Sequence, residues 1–173
     1  IPHGTIDDGY VVQQRVIDLT RAGQRRVGRK IGLTSPAVQT QMGVDTPDFG
    51  VLLADMAYGD DDPIPATRLL QPRVEAEVAF VLGSDLPERP VVAADVLRAT
   101  EYVTPALELI DGRSQYPRTI VDNIADNAAC GAVILGGRPV KPDAVDLRWV
   151  GALLFRNAQI EETGLAAGVI CCL

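Results

Sequence analysis

Gln71-Pro72-Arg73-Val74-Glu75-Ala76-Glu77-Val78-Ala79-Phe80-Val81-Leu82 is the stretch on which the reading of this chain turns. Its residues alternate, with Val74, Ala76, Val78, Phe80 and Leu82 on one side of an extended chain and Arg73, Glu75, Glu77 and Ala79 on the other. Pro72 has no N–H to give a ladder and suits the start of a strand. Residues two apart in a strand project from one face roughly 6.6 Å apart. Carboxylates held that way repel unless a cation, a proton or an arginine lies between them. Hard divalent ions such as Mg²⁺ or Mn²⁺ favour such oxygen donors. The plain alternative is an edge strand with a solvated acidic face.

Composition narrows the classes. With 173 residues, 47 % hydrophobic and 23 % charged, the chain has the make-up of one globular domain spanning 1–173. A net charge of −7 argues against nucleic acid or an anionic membrane as partner. No run has the length of a membrane span or the form of a signal peptide. Cys130, Cys171 and Cys172 lack metal-binding spacing, which points to a reduced, cytoplasmic setting. His3 is the sole histidine and sits near the amino terminus. Triads and His-rich zinc sites are therefore excluded, leaving Lys, Asp, Glu, Tyr or a metal-bound water for proton transfer.

Thr5 and Asp8 form a capping-box signal, followed by a helix with Val12, Val16 and Leu19 at helical spacing. Val27 to Leu33 reads as a strand with Val27, Ile31 and Leu33 on one face and Gly28, Lys30 and Gly32 on the other. A lysine between two glycines has the open space a ligand-facing ammonium needs, although a surface lysine in an edge strand fits the same pattern. Ser35-Pro36 opens a short helix that Gly43 closes. Val44 to Gly50 reads as a loop running into Val51-Leu52-Leu53, with Asp48 either a turn residue or a site acid. Asp60-Asp61-Asp62 reads as a solvated turn.

Val92 to Val103 reads as a helix ended by Pro105, placing Glu101 on a helix surface. Ala106 to Gly112 then reads as a strand in which Glu108 opposes Leu107 and Leu109. A glutamate in so apolar a strand is costly without a partner, and Glu75, Glu77 and Glu108 together would make a three-carboxylate site for one divalent ion. Asp122 to Gly131 is either a helix end beside a ligand or an ordinary loop. Ala132 to Leu135 reads as a strand, and Leu147–Phe155 with Gln159–Glu162 as a hairpin around Arg156-Asn157-Ala158.

Five segments in order, Gly28–Ser35, Pro47–Gly50, Gln71–Glu77, Pro105–Glu108 and Ala125–Ala128, resemble the 2-keto-4-pentenoate hydratase / 2-oxohex-3-enedioate decarboxylase branch of the fumarylacetoacetate hydrolase superfamily. The resemblance covers residues 5 to 168. It implies a mixed α/β, β-roll-like fold with flanking helices, and a bound Mg²⁺ or Mn²⁺. It places the family's metal glutamates on Glu75, Glu77 and Glu108, its site lysine on Lys30 and its site aspartate on Asp48. The implied reaction is hydration of 2-hydroxypenta-2,4-dienoate to 4-hydroxy-2-oxopentanoate in aromatic meta-cleavage catabolism. Close relatives instead decarboxylate 2-oxohex-3-enedioate. A cation placed for a second substrate carboxylate would separate the two, with Arg73 and Arg113 as candidates.

The same resemblance implies a homo-oligomer, with other meta-cleavage enzymes as conceivable partners. The chain is shorter than the family pattern at both ends, and Ile170-Cys171-Cys172-Leu173 does not match the family's continuation. A partial roll, or a non-catalytic remnant that associates with full-length subunits, is the competing reading.

Overall fold

The computed structural model describes residues 1–168, so the terminal sequence from 169 onward, with Cys171 and Cys172, lies outside the described residues. The architecture is mixed α/β. Helix α1 (Ile6–Thr20) leads to strand β1 (Arg26–Gly32), helix α2 (Pro36–Met42), strand β2 (Asp48–Leu53) and short strand β3 (Ala57–Gly59). Strand β4 (Arg73–Leu82), helix α3 (Ala93–Ala99), strand β5 (Thr100–Ile110), helix α4 (Ile120–Ala125) and strand β6 (Cys130–Leu135) follow. A hairpin of β7 (Gly151–Arg156) and β8 (Gln159–Leu165) completes the order. The strands form an antiparallel β1–β2 pair, a four-stranded sheet in the order β3-β6-β5-β4, and the β7–β8 hairpin.

Local chemistry explains most boundaries. Thr5 Oγ1 accepts from Asp8 N while Asp8 accepts from Thr5 N, the reciprocal capping box expected for α1. Helix α2 begins at Pro36 and ends at Gly43 in the left-handed region, although Ser35 makes no side-chain capping bond. Asn157 and Ala158 both take positive φ in the two-residue turn of the β7–β8 hairpin.

Several expected elements differ. α1 does not bury Val12, Val16 and Leu19, which are exposed. It buries Gly9, Gln13 and Ile17. Gln13 decides this orientation, because its Nε2 donates to Phe49 O at 3.0 Å and to Ile124 O at 2.9 Å, tying α1 to β2 and α4. The helix expected over 92–103 ends at Ala99, and Thr100 begins β5. The β-branched run Thr100, Val103, Thr104 favours the strand, and Pro105 sits inside it opposite Val78. Glu101 is therefore on a strand and not a helix. Strand β2 starts at Asp48, inside the expected loop. Residues Leu147–Trp149 form a 3₁₀ turn ahead of β7, and β8 runs on to Leu165.

In the four-stranded sheet the glutamate face of β5 is the buried one. Glu108 lies buried with Thr104 and Ala106 on one face of β5, while Leu107, 42 % exposed, lies on the other. Val74 and Leu82 on the apolar side of β4 are exposed as well. The core sits instead around Ile17, Val51, Leu53, Met56 and Cys130, between α1, β2 and β6.

Two predictions arise from this packing. Gly50 is buried, and a Cβ there would press to 2.5 Å from the carbonyl oxygen of Asn127. Gly50→Ala is expected to destabilise the fold by about 1–3 kcal/mol, the usual cost of overpacking, read as a lowered urea midpoint. Asp95 accepts from Arg89, from Val92 N and from Arg98, and these donors hold its carboxyl well below the usual range. With the folded pKa depressed, its stabilisation is present above the unfolded value of about 3.9 and fades as pH falls below it. Asp95→Asn should therefore lower the urea midpoint most at pH 7 and progressively less as the pH is taken below about 3.9; a loss that stays equal down to the lowest pH at which the protein is folded would contradict this account.

Candidate metal centre

Antiparallel pairing of β4 with β5 sets Glu75 directly opposite Glu108, with Glu77 one strand repeat away opposite Ala106. Their shared face brings one carboxylate oxygen from each of Glu75, Glu77 and Glu108 within 4.8 Å of one another. Glu108 is buried, whereas Glu75 and Glu77 stand at the open side of the cluster. Burial, reinforced by the charges of Glu108 and Glu75, pushes the Glu77 carboxyl up to about 7. Burial also raises Glu108, against the opposing charge of Lys30.

Lys30 comes from β1 and reaches across to the cluster, its Nζ 3.4 Å from Glu108 Oε1. That contact is an ion pair without hydrogen-bond geometry, because Oε1 is buried with no hydrogen-bond partner. Gly32, on the same face of β1, pairs with Asp48 of β2. A Cβ on Gly32 would collide with Asp48 Oδ1 and sit 3.0 Å from Lys30 Nζ, so this glycine lets the two side chains meet. Asp48 is almost wholly buried, its Oδ2 accepting from Asn123 Nδ2 at 2.7 Å while Oδ1 has no partner. Burial raises the Asp48 carboxyl, opposed chiefly by Lys30.

All five residues named from the sequence thus converge. Three supporting residues were not singled out there. Asn123 orients Asp48 from α4. Asn127 clamps Val51 through both its amide groups, donating to Val51 O at 3.0 Å and accepting from Val51 N at 2.7 Å. Cys130 lies against Glu108, and burial pushes its thiol up to about 12. The signal for Asn123 and Asn127 was the polar, small-residue stretch 122–131, which the structure resolves into α4 and a turn. Asn127, Ala128 and Ala129 all take positive φ in that turn, a strained backbone for non-glycine residues of the kind found beside functional sites.

The donor set fits a hard divalent ion. Around an octahedral Mg²⁺ neighbouring oxygens lie about 3 Å apart and opposite ones about 4.2 Å, from the metal–oxygen distance, so three oxygens within 4.8 Å of one another would draw together to share one ion. The orphaned Oε1 of Glu108 supplies a buried acceptor without a hydrogen bond, 3.4 Å from Lys30 Nζ.

No family model matches the chain. It is 50 % identical over 177 residues to 2-oxo-hept-4-ene-1,7-dioate hydratase of Escherichia coli, covering 98 % of this chain and 66 % of that protein. It is 47 % identical over 175 residues to 2-keto-4-pentenoate hydratase of Paraburkholderia xenovorans strain LB400, covering 98 % and 63 %. Against 2-hydroxypent-2,4-dienoate hydratase of Pseudomonas putida it is 43 % identical over 169 residues, covering 96 % and 76 %. Among solved structures, its fold matches 4-oxalocrotonate decarboxylase from Pseudomonas putida G7, complexed with magnesium and adipate, at a TM-score of 0.89 and 35 % identity, covering 98 % of this chain and 65 % of that one. The same enzyme complexed with calcium and acetate matches at 0.86.

The fold is therefore the mixed α/β fold of that decarboxylase. The chain belongs to the 2-keto-4-pentenoate hydratase family of the fumarylacetoacetate hydrolase superfamily. It spans about two thirds of the length of the first relatives it matches. Among the described residues no helix is long and apolar enough to cross a membrane.

The buried thiol offers a direct check on this packing. In the folded protein Cys130 should resist iodoacetamide at pH 8, and peptide mass spectrometry should show its labelling only once urea unfolds the chain.

Proposed function

We propose that this chain forms the metal-binding part of a hydratase that adds water to a 2-hydroxy-2,4-dienoate, of which 2-hydroxypenta-2,4-dienoate is the simplest, giving the 4-hydroxy-2-oxo acid. The observation that carries the reading is the convergence of Glu75, Glu77 and Glu108 beside Lys30 and Asp48. Hydration is preferred over decarboxylation because the hydratase relatives are 43–50 % identical and the decarboxylase 35–36 %.

Glu75, Glu77 and Glu108 would hold Mg²⁺ or Mn²⁺. When bound, the ion supplies Lewis-acid stabilisation of negative charge on the substrate's carboxylate and 2-oxo oxygen. Asp48, held by Asn123, accepts the proton of the 2-hydroxyl. Lys30 Nζ delivers a proton to C5, which turns the dienol into the conjugated 2-oxo-3-alkene. Water adds at C4, now electron-poor, and the site's proton carriers return a proton to C3. Gly32 keeps the ammonium and the carboxyl within reach of one substrate by leaving their approach unobstructed.

The test is loss of dienoate absorbance with Mg²⁺ or Mn²⁺ and 2-hydroxypenta-2,4-dienoate, followed by product analysis for the hydroxy-oxo acid against CO₂ release. Chelation with EDTA should abolish turnover and added metal restore it. Glu108→Gln, close in size to the native residue, should weaken Mn²⁺ binding by at least about 10–100-fold, since even outer partners of metal ligands cost that much. Undiminished Mn²⁺ affinity in that variant, measured by calorimetry, would remove Glu108 from the metal site.

A further inference from the structure

Strand β2 pairs with β1 along one edge, and among the described residues its other edge meets no strand. An open edge presents N–H and C=O groups without ladder partners. Here three side chains take them. Phe49 N donates to Tyr10 Oη at 3.2 Å, Phe49 O accepts from Gln13 Nε2 at 3.0 Å, and both backbone groups of Val51 are bonded to Asn127. Tyr10 and Gln13 stand three apart on α1, so one helix face reaches both ends of the same residue.

Phe49 is held by its ring as well. Tyr10 stacks on it with centroids 4.2 Å apart and planes 15° apart, and the Arg29 guanidinium carbon lies 4.9 Å from its centre. The residue before it is Asp48, buried, with Oδ2 on Asn123 Nδ2 and Oδ1 without a hydrogen-bond partner. A peptide unit is planar, so the unit that carries Phe49 N–H also carries the Cα of Asp48. Fixing that N–H fixes the direction in which the Asp48 side chain leaves the strand. Burial raises the Tyr10 phenol, against the hydrogen bond from Phe49 N, and the charge of Asp48 raises it further. The hydroxyl is thus neutral at pH 7 and lies within electrostatic reach of Asp48.

We propose that Tyr10 is a positioning residue for Asp48: its hydroxyl holds the 48–49 peptide so that Oδ2 rests on Asn123 and Oδ1 stays on the Lys30 side. Tyr10 touches no reacting atom and acts through the carboxyl beside it. The inference rests on the reading that Asp48 takes the proton of the 2-hydroxyl.

Nuclear magnetic resonance of the side-chain amides tests the positioning without turnover. In Tyr10→Phe, which keeps the stacked ring, the hydrogen-bonded Asn123 amide proton should move upfield and exchange faster as Asp48 shifts. The Asn127 amide, bonded to Val51 two residues along β2, should stay where it is. Tyr10→Leu, which also loses the ring, should displace the Asn123 signals further. In the unaltered protein the Phe49 amide should exchange slowly with D₂O, and rapid exchange there overturns the proposal whatever the variants do. An unmoved Asn123, or Asn123 and Asn127 moving together, overturns it too, the second outcome being general loosening. With Mn²⁺ and 2-hydroxypenta-2,4-dienoate, Tyr10→Phe should lower kcat at least about tenfold while KM stays within about twofold, the pattern of a misplaced reacting group. A shifted Asn123 with kcat unchanged overturns both the part of Tyr10 in the reaction and the reading of Asp48 as proton acceptor. No turnover by the unaltered protein sinks the hydratase reading, and the amide signals still decide whether Tyr10 sets the Asp48 carboxyl.

Discussion

A buried glutamate facing other carboxylates is the constraint around which this molecule is arranged. Glu108 lies nearly inaccessible on β5, opposite Glu75 and close to Glu77, with the ammonium of Lys30 as its one opposing charge in the cluster. Ionised groups leave water only at a high cost unless they are paired. One ammonium against Glu75, Glu77, Glu108 and the nearby Asp48 leaves an excess of negative charge, which adds to burial in raising the Glu77 carboxyl. A divalent cation held there would remove that excess.

The rest of the fold can be read as support for this cluster. Strands β1 and β2 carry Lys30 and Asp48 and approach closely because Gly32 has no side chain. Helix α4 contributes Asn123 to Asp48, and Gln13 of α1 ties α4 to β2. The left-handed turn at 127–129 lets Asn127 clamp Val51 and brings Cys130 against Glu108. Because side chains alternate along a strand, turning Glu108 inward turns Leu107 outward, and Val74 on β4 follows it. Burial on β5 therefore follows the face that carries Glu108 and not the one that carries Leu107.

The sequence made the site more legible than the fold's details. The glutamate spacing in 71–82, the isolated Glu108 and a lysine between glycines are local signals: the glutamates share one face of β4 and β5, and Lys30 reaches them from β1. Boundaries were less legible. The periodicity of 92–103 suited a helix, but pairing with β4 claimed Thr100 to Thr104 for β5, an interaction with residues twenty positions away. Val12, Val16 and Leu19 fit an apolar stripe, yet two hydrogen bonds from Gln13 set the helix's inward face. Arg113 and Arg118 are alike in sequence. In space Arg113 holds Asp126 by hydrogen bonds, while Arg118 stands 3.9 Å from the same carboxylate and over the Tyr116 ring.

By itself the sequence determined the family, the α/β class and which carboxylates and lysine to look for, because these depend on residue types at short, regular spacings. Only the tertiary structure decided which strand face is buried, where the strained turn lies and which arginine holds Asp126 by hydrogen bonds. Those outcomes depend on pairing between distant segments, where a single carboxylate or amide can satisfy one neighbour and thereby deny another.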